Sequence, residues 1–143
     1  LATGTLKRYC IDLKTGHVMV KQLSETRIEM PTIHYDAYNA KPYRYTYAIA
    51  SAGTEPQGLV KINVVTGKVQ QWSESFCYVN EPTFIPRPQG TTEDDGVVVS
   101  VILDARKKIS FLLMLDAKNF TEIARVMLPQ HIPFCTHARF VPQ

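Results

Sequence analysis

The sequence predicts an all-β fold, about two blades of a β-propeller plus the start of another. Three observations carry that expectation. Almost every apolar segment is short, strand-like and bounded by turn residues. No segment carries a helical stripe of three turns. A hairpin sequence recurs at a period of about fifty residues, with about four strands in each period, which is propeller-blade spacing at its long end.

The elements follow in order. Arg8–Leu13 and His17–Leu23 read as two strands around the turn Lys14-Thr15-Gly16. Ile33–Tyr35 reads as another short strand. Arg44–Ala50 (RYTYAIA) reads as an inner strand, with Tyr43, Tyr45 and Tyr47 on one face, packed between blades. Gly58–Val65 and Lys68–Trp72 form a second hairpin around Thr66-Gly67, with Trp72 as a packing residue. Pro82–Pro86 is a short strand, and Gly96–Leu103 (GVVVSVIL) is apolar enough for burial on both faces. Ile109–Leu115 and Glu122–Leu128 form a third pair. Prolines at 82, 86, 88, 129 and 133 interrupt the elements and limit strand length.

The repeat is explicit in the residues. Ile11-Asp12-Leu13-Lys14-Thr15-Gly16-His17-Val18 matches Ile62-Asn63-Val64-Val65-Thr66-Gly67-Lys68-Val69, and Leu115-Asp116 opens a looser third copy. Each hairpin is expected to bridge neighbouring blades, its first strand outermost in one and its second leading to the next. A ring needs at least about four blades, so most of it is expected to lie outside residues 1–143, which form only part of a propeller. The competing fold is a small β-sandwich with a chance repeat.

Composition removes several functions. Against 16 Lys plus Arg stand 13 Asp plus Glu, and the net charge of +3 is scattered, its densest cluster being Arg106-Lys107-Lys108. That argues against a nucleic-acid partner. Cys10, Cys77 and Cys135 are widely spaced and contain no CxxC, so neither a disulfide framework nor a cysteine zinc site is expected, and a reduced intracellular compartment is. No apolar run approaches the ~18 residues of a membrane-spanning helix. The start Leu1-Ala2-Thr3-Gly4 has neither an initiator Met nor a signal-peptide pattern, so a larger parent is expected.

Candidate chemistry comes from position in the repeat. About twenty residues after Asp12, Asn63 and Asp116 stand Glu29 (in RIEMP), Glu81 (in YVNEP) and His137 (in FCTHARF). Equivalent blade positions surround one axis, so two carboxylates and an imidazole could face a common axial site. Imidazole Nε2 suits Fe(II), and a carboxylate on the other ring nitrogen fixes the tautomer. Glu29 and Glu81 could do this for histidines from absent blades, or ligate directly. The plainer readings are turn carboxylates paired to Arg27 or solvent, and a hydrogen-bonded histidine near a terminal strand.

The remaining candidates are weaker. His17 should be exposed beside its turn, and neither His34 nor His131 has a site argument. Glu93-Asp94-Asp95 reads as a turn with an exposed acidic patch and lacks the spacing of a calcium loop. Gly53 and Gly58 lack the Lys-Ser/Thr of a phosphate loop. Cys135 beside His137 is not by itself a catalytic pair.

Several longer segments resemble the C-terminal portion of the carotenoid cleavage oxygenase family. That family includes carotene-cleaving dioxygenases, stilbene-cleaving enzymes and a retinoid isomerohydrolase. Glu81–Pro88 (EPTFIPRP), Glu93–Val101 (EDDGVVVSV), Phe111–Ala117 (FLLMLDA) and Phe120–Arg125 (FTEIAR) look like its motifs, as do Arg27–Pro31 and Tyr43-Arg44-Tyr45. The resemblance implies a seven-bladed propeller with a lipid-facing cap. It implies a non-haem Fe(II) held by four axial histidines, three of them backed by glutamates. It makes His137 the last iron ligand, and Glu29 and Glu81 two of the backing glutamates.

For the complete protein it implies oxidative cleavage of a conjugated double bond in a carotenoid or apocarotenoid, with O2 as co-substrate and two carbonyl products. The alternatives are an isomerohydrolase and a non-catalytic propeller fragment acting in binding. Implied partners are an apolar polyene, the remaining blades with three ligand histidines, and a membrane surface touched through regions outside this chain. The expected location is cytoplasmic, peripheral to a membrane, or mitochondrial. Two departures stand out. The chain has Thr136-His137-Ala138 where the family has Phe-His-Gly, and His17, His34 and His131 do not match the other ligand motifs. The 143-residue chain alone should therefore be inactive.

Overall fold

A computed structural model describes residues 4–51, 58–133 and 137–141. Gly53, Cys135 and Thr136 lie outside the described residues. The strands are β1 (Gly4–Ile11), β2 (Val18–Thr32), β3 (Tyr45–Ala50), β4 (Gly58–Asn63), β5 (Val69–Trp72), β6 (Cys77–Val79), β7 (Thr83–Pro86), β8 (Gly96–Asp104), β9 (Ile109–Asp116) and β10 (Glu122–Met127); one helical turn, α1, spans Tyr35–Tyr38. They form two antiparallel sheets. The first has the order β1-β2-β3-β4-β5; the second has the order β10-β9-β8-β6, with β7 also on β8. The β-rich reading therefore holds, with two unclosed sheets of propeller type.

The recurring hairpin is a side-chain-capped turn. Asp12 Oδ1 accepts from the backbone N–H groups of Lys14 (2.8 Å) and Thr15 (3.2 Å), and Asn63 Oδ1 accepts from Val65 (3.0 Å) and Thr66 (3.1 Å). Asp116 repeats this with Lys118 and Asn119, both at 2.9 Å. An Asx side chain that takes two N–H groups returns the chain at once. Asp104 makes a fourth such turn, to Arg106 and Lys107, which the repeat does not reveal because Lys108 stands where Gly16 and Gly67 stand. All three residues have positive φ.

The chain moves between sheets differently from the expected bridge. β4 lies against β3, so β5 takes the outermost place and both strands of that hairpin belong to one sheet. The chain then leaves β5 for β6 in the second sheet. In the first repeat the second strand is itself the link, since β2 pairs with β1 and, from Ile28 onward, with β3 as well. The strand expected over His17–Leu23 thus continues to Thr32. The strand expected over Ile33–Tyr35 is replaced by α1, where Tyr38 N–H donates to His34 O (3.0 Å) and the Lys41 ammonium to Ala37 O (2.9 Å). β6 was not anticipated because it is only three residues long.

The main core lies between the sheets. Tyr47, Ile49 and Leu59 from the first meet Phe84, Val98, Phe111, Leu113 and Phe120 from the second. Tyr47 stacks on Phe84 with centroids 5.4 Å apart and on Phe120 at 6.2 Å. Trp72 packs against this cluster, as expected. A smaller cluster of Ile28, Ala48, Ala50, Val60 and Ile62 covers the other face of the first sheet, so β3 and β4 are buried on both sides. β8 instead alternates between buried and half-buried residues.

The acidic run is not an exposed patch. Glu93 accepts the backbone N–H groups of Arg44 (2.8 Å) and Tyr45 (2.7 Å) at the start of β3. Asp94 pairs with the buried Lys61 of β4 at 2.7 Å. Asp95 pairs with Arg87 (2.9 Å) and Lys118 (3.4 Å). Glu93 and Asp94 therefore clasp the two sheets together, while Asp95 ties loops of the second sheet to one another, and local spacing encodes none of these long-range pairings.

Gly96 closes the same loop for a steric reason. A Cβ there would strike the Ile85 carbonyl and lie 3.0 Å from the Pro86 Cα on the paired strand β7. The backbone is fixed by the ladder and cannot give way cheaply. Gly96→Ala should therefore cost at least ~1–3 kcal/mol of stability, read as a lowered denaturation midpoint; an unchanged midpoint would show that β7 yields.

Candidate functional site

The site is built on a fault that recurs in the first strand of each blade. From Glu29↔Ile49 to Thr32↔Tyr47, β2 advances three residues while β3 advances two. From Val79↔Ile102 to Thr83↔Val99, the β6–β7 segment advances four while β8 advances three. Each is a one-residue bulge, and bulges re-aim side chains. Glu29 sits at the first and Glu81 at the second. The left-handed Met30 (φ 49°) and Pro31 accompany one, Pro82 the other.

Asn80 holds the second bulge rigid. Its backbone N–H donates to Val101 O (3.0 Å), its Nδ2 donates to the same oxygen (2.9 Å), and its carbonyl accepts from the buried Ser100 hydroxyl (2.7 Å). Neither Asn80 nor Ser100 stood out in the sequence, although the polar Ser100 within GVVVSVIL was the available signal.

Glu81 points at the C-terminal segment. Its Oε2 accepts the backbone N–H of Ala138 at 2.8 Å and lies 3.4 Å from His137 Nδ1. The Glu81 side chain is 16% exposed and the His137 side chain 83% exposed. No described residue hydrogen-bonds His137 Nε2, an atom that suits a metal by its chemistry. Among the described residues the imidazole beside Glu81 is His137 of the same chain. The Glu29 carboxylate makes no hydrogen bond or ion pair with any described residue, Arg27 included. The structure thus brings Glu81 and His137 together and leaves Glu29 half-buried, with no hydrogen bond or ion pair among the described residues.

A cleft of about 890 Å³ runs from Glu81 along β7, lined among others by His34, Tyr35, Phe84, Pro88 and Phe140. The His34 ring packs 4.9 Å from Phe84. His17 and His131 are exposed, as expected of His17 beside its turn.

The described residues also hold a Glu74–Cys77–Asp104 cluster of metal-capable atoms. Its chemistry favours structure over metal. Arg125 binds Glu74 (2.8 Å) and Glu122 (2.6 Å), and Arg106 and Lys107 approach Asp104 at 3.6 and 3.5 Å. Burial pushes the Cys77 thiol up to about 11, so it stays protonated at neutral pH. Burial alone would raise Asp104, but the N–H groups of Lys107 and Arg106 and their charges outweigh it and hold the carboxyl low.

Comparison with known proteins places these features. Residues 1–142 match the family described as retinal pigment epithelial membrane protein. A carotenoid isomerooxygenase of Galleria mellonella is 39% identical over 129 residues, covering 85% of this chain and 25% of that protein. The β,β-carotene 15,15'-dioxygenase of Mus musculus is 39% identical over 132 residues, covering 90% of this chain and 23% of that protein. The chain therefore spans about a quarter of the length of these relatives. The cobalt-substituted apocarotenoid oxygenase of Synechocystis superposes with a TM-score of 0.86 at 33% identity, covering 94% of this chain and 29% of that one. No helix among the described residues is long and apolar enough to cross a membrane.

Proposed function

The chain belongs to the retinal pigment epithelial membrane protein family, and from that premise we propose that it is part of a non-haem Fe(II) dioxygenase. The complete protein adds O2 across one conjugated double bond of a carotenoid or apocarotenoid. The C=C bond breaks, each carbon receives one oxygen atom, and two carbonyl products leave. The observation that carries the reading is the Glu81–His137–Ala138 contact, which holds one imidazole beside a carboxylate.

In this reading His137 is an iron ligand. Glu81 secures it, and Glu29 backs a ligand histidine from another blade. Bound Fe(II) supplies O2 activation beside the polyene. The protein's own residues hold the imidazole, orient it through the bulge at Glu81, and offer apolar surface along Phe84 and Phe140.

The other ligands and blades belong to the rest of the protein, so the chain alone is inactive. The β1 edge supports this. Val64 N–H donates to Arg44 O (2.8 Å) and Ala117 N–H to Gly96 O (3.1 Å), each at the start of the neighbouring strand. Leu13 holds the corresponding place and is 94% exposed, which fits a further strand beside β1 in the whole ring. A cytoplasmic, membrane-peripheral or mitochondrial location is proposed; a human relative, 37% identical over 119 residues, is a mitochondrial carotenoid-cleaving dioxygenase.

The test uses the full natural protein, iron analysis, and a carotenoid or apocarotenoid under labelled O2. The expected result is bound iron and two shorter carbonyl products, each with one labelled oxygen. Products that keep the substrate's carbon count would instead identify an isomerohydrolase. An iron-free, inert full protein would leave a binding role.

A further inference from the structure

We propose that the polar junction between the two sheets is a preformed binding site for a primary ammonium, filled in this protein by the ammonium of its own Lys61. The site is a cage of oxygen atoms beside an aromatic ring, and it takes a free alkylammonium when the lysine is shortened.

The cage matches that ion. Lys61 Nζ donates to Asp94 Oδ2 (2.7 Å), Ala117 O (2.7 Å) and Lys118 O (2.9 Å). Three acceptors use the three hydrogens of a primary ammonium. The Tyr45 ring centroid lies 4.1 Å from the same nitrogen, within cation–π range. The Lys61 side chain is 3% exposed, so the ion is held out of water. A quaternary ammonium has no N–H to offer these oxygens.

The cage does not need the lysine to hold its shape. The turn that carries two of the carbonyls is closed by its own bonds. Ala117 N–H donates to Gly96 O (3.1 Å), Lys118 N–H to Asp116 Oδ1 (2.9 Å) and Phe120 N–H to Asp116 O (2.9 Å). Asp94 stands between Glu93, which holds the N–H groups of Arg44 and Tyr45, and Asp95, which pairs with Arg87. Groups fixed by other partners stay in place when the occupant is detached. All of them come from the two described sheets and their loops. A cleft of about 430 Å³, lined among others by Tyr45, Lys61, Asp94 and Lys118, gives a path to the site.

The experiment detaches the ammonium from the chain. Lys61→Ala removes the atoms that n-propylammonium restores. In the full natural protein, this variant is unfolded in urea at rising n-propylammonium chloride, with sodium chloride holding the ionic strength constant. The folded-to-unfolded ratio should rise saturably, about tenfold at ten times the amine's dissociation constant. Wild type, Lys61→Met, whose side chain fills the lysine's path, and Lys61→Ala/Asp94→Asn should each change less than about twofold. Tetramethylammonium should leave Lys61→Ala unchanged.

No amine-specific rise in Lys61→Ala would overturn the site. An equal rise with tetramethylammonium or potassium chloride would overturn it too, as would a rise that survives Asp94→Asn. If Lys61→Ala does not fold without the amine, the yield of soluble refolded protein replaces the urea midpoint. A higher yield with n-propylammonium than with sodium chloride is then expected, and equal yields would overturn the site.

Discussion

Replacing His137 with alanine should strip the full natural protein of iron while leaving its fold intact. The ring lies 3.4 Å from the Glu81 carboxylate and belongs to neither buried core cluster of this chain, so the change in stability of the metal-free protein should stay within about 1 kcal/mol. Loss of one ligand should lower iron affinity and cleavage activity at least ~100-fold, beyond the ~10–100-fold seen when an outer partner of a ligand is removed. Iron content, product formation and a denaturation curve on the same sample check both halves. A variant that keeps its iron would remove His137 from the metal site. A variant that loses iron because it unfolds would show that the residue's role is structural.

Lys61→Ala should do the reverse and damage the fold directly. The Lys61 side chain is 3% exposed, and its ammonium donates to Asp94 Oδ2 (2.7 Å), Ala117 O (2.7 Å) and Lys118 O (2.9 Å). It also lies 4.1 Å from the Tyr45 ring centroid. All three donors are used, and every acceptor belongs to the second sheet or its loops. Removing the ammonium strands the Asp94 carboxylate, itself only 14% exposed, together with two carbonyls. Breaking a buried pair from one side costs about 3–5 kcal/mol, a large share of a typical folding stability of ~5–15 kcal/mol.

The measurement is chemical denaturation of the variant against wild type, with Lys61→Met/Asp94→Asn as the companion. The double variant removes both charges and should recover part of the loss. A Lys61→Ala cost below about 1 kcal/mol would mean that water replaces the clasp.

These two residues differ in how much their surroundings show in sequence. His137 became a candidate because the repeat puts it in register with Glu29 and Glu81 and because the neighbouring segments resemble family motifs. Lys61 sits unmarked in LVKIN, and a lysine at a strand position reads as solvent-facing. Its burial depends on Asp94, 33 residues away, and on carbonyls 56 and 57 residues away. The Glu93-Asp94-Asp95 run was misjudged for the same reason, since its partners Arg44, Lys61 and Lys118 come from other elements.

Local chemistry, by contrast, was legible. Asp12, Asn63 and Asp116 cap turns within three residues of themselves, so the hairpins and their period could be read directly. The Asp104 turn lies outside the fifty-residue period, and Lys108 takes the left-handed place without being glycine.

The sequence by itself determined the all-β class, the blade-length repeat, the turn chemistry and the candidate trio Glu29, Glu81 and His137, because each depends on alternation, short-range hydrogen bonds or repeat position. Only the tertiary structure decided that β2 pairs with both β1 and β3 within one sheet, that the acidic loop clasps the two sheets through Lys61, and that Glu81 grips Ala138 beside His137 while Glu29 stays unpaired among the described residues. Those features join residues far apart in the chain. Their energies come from bringing charges and peptide groups together out of water, and no local pattern records which distant partner will be there.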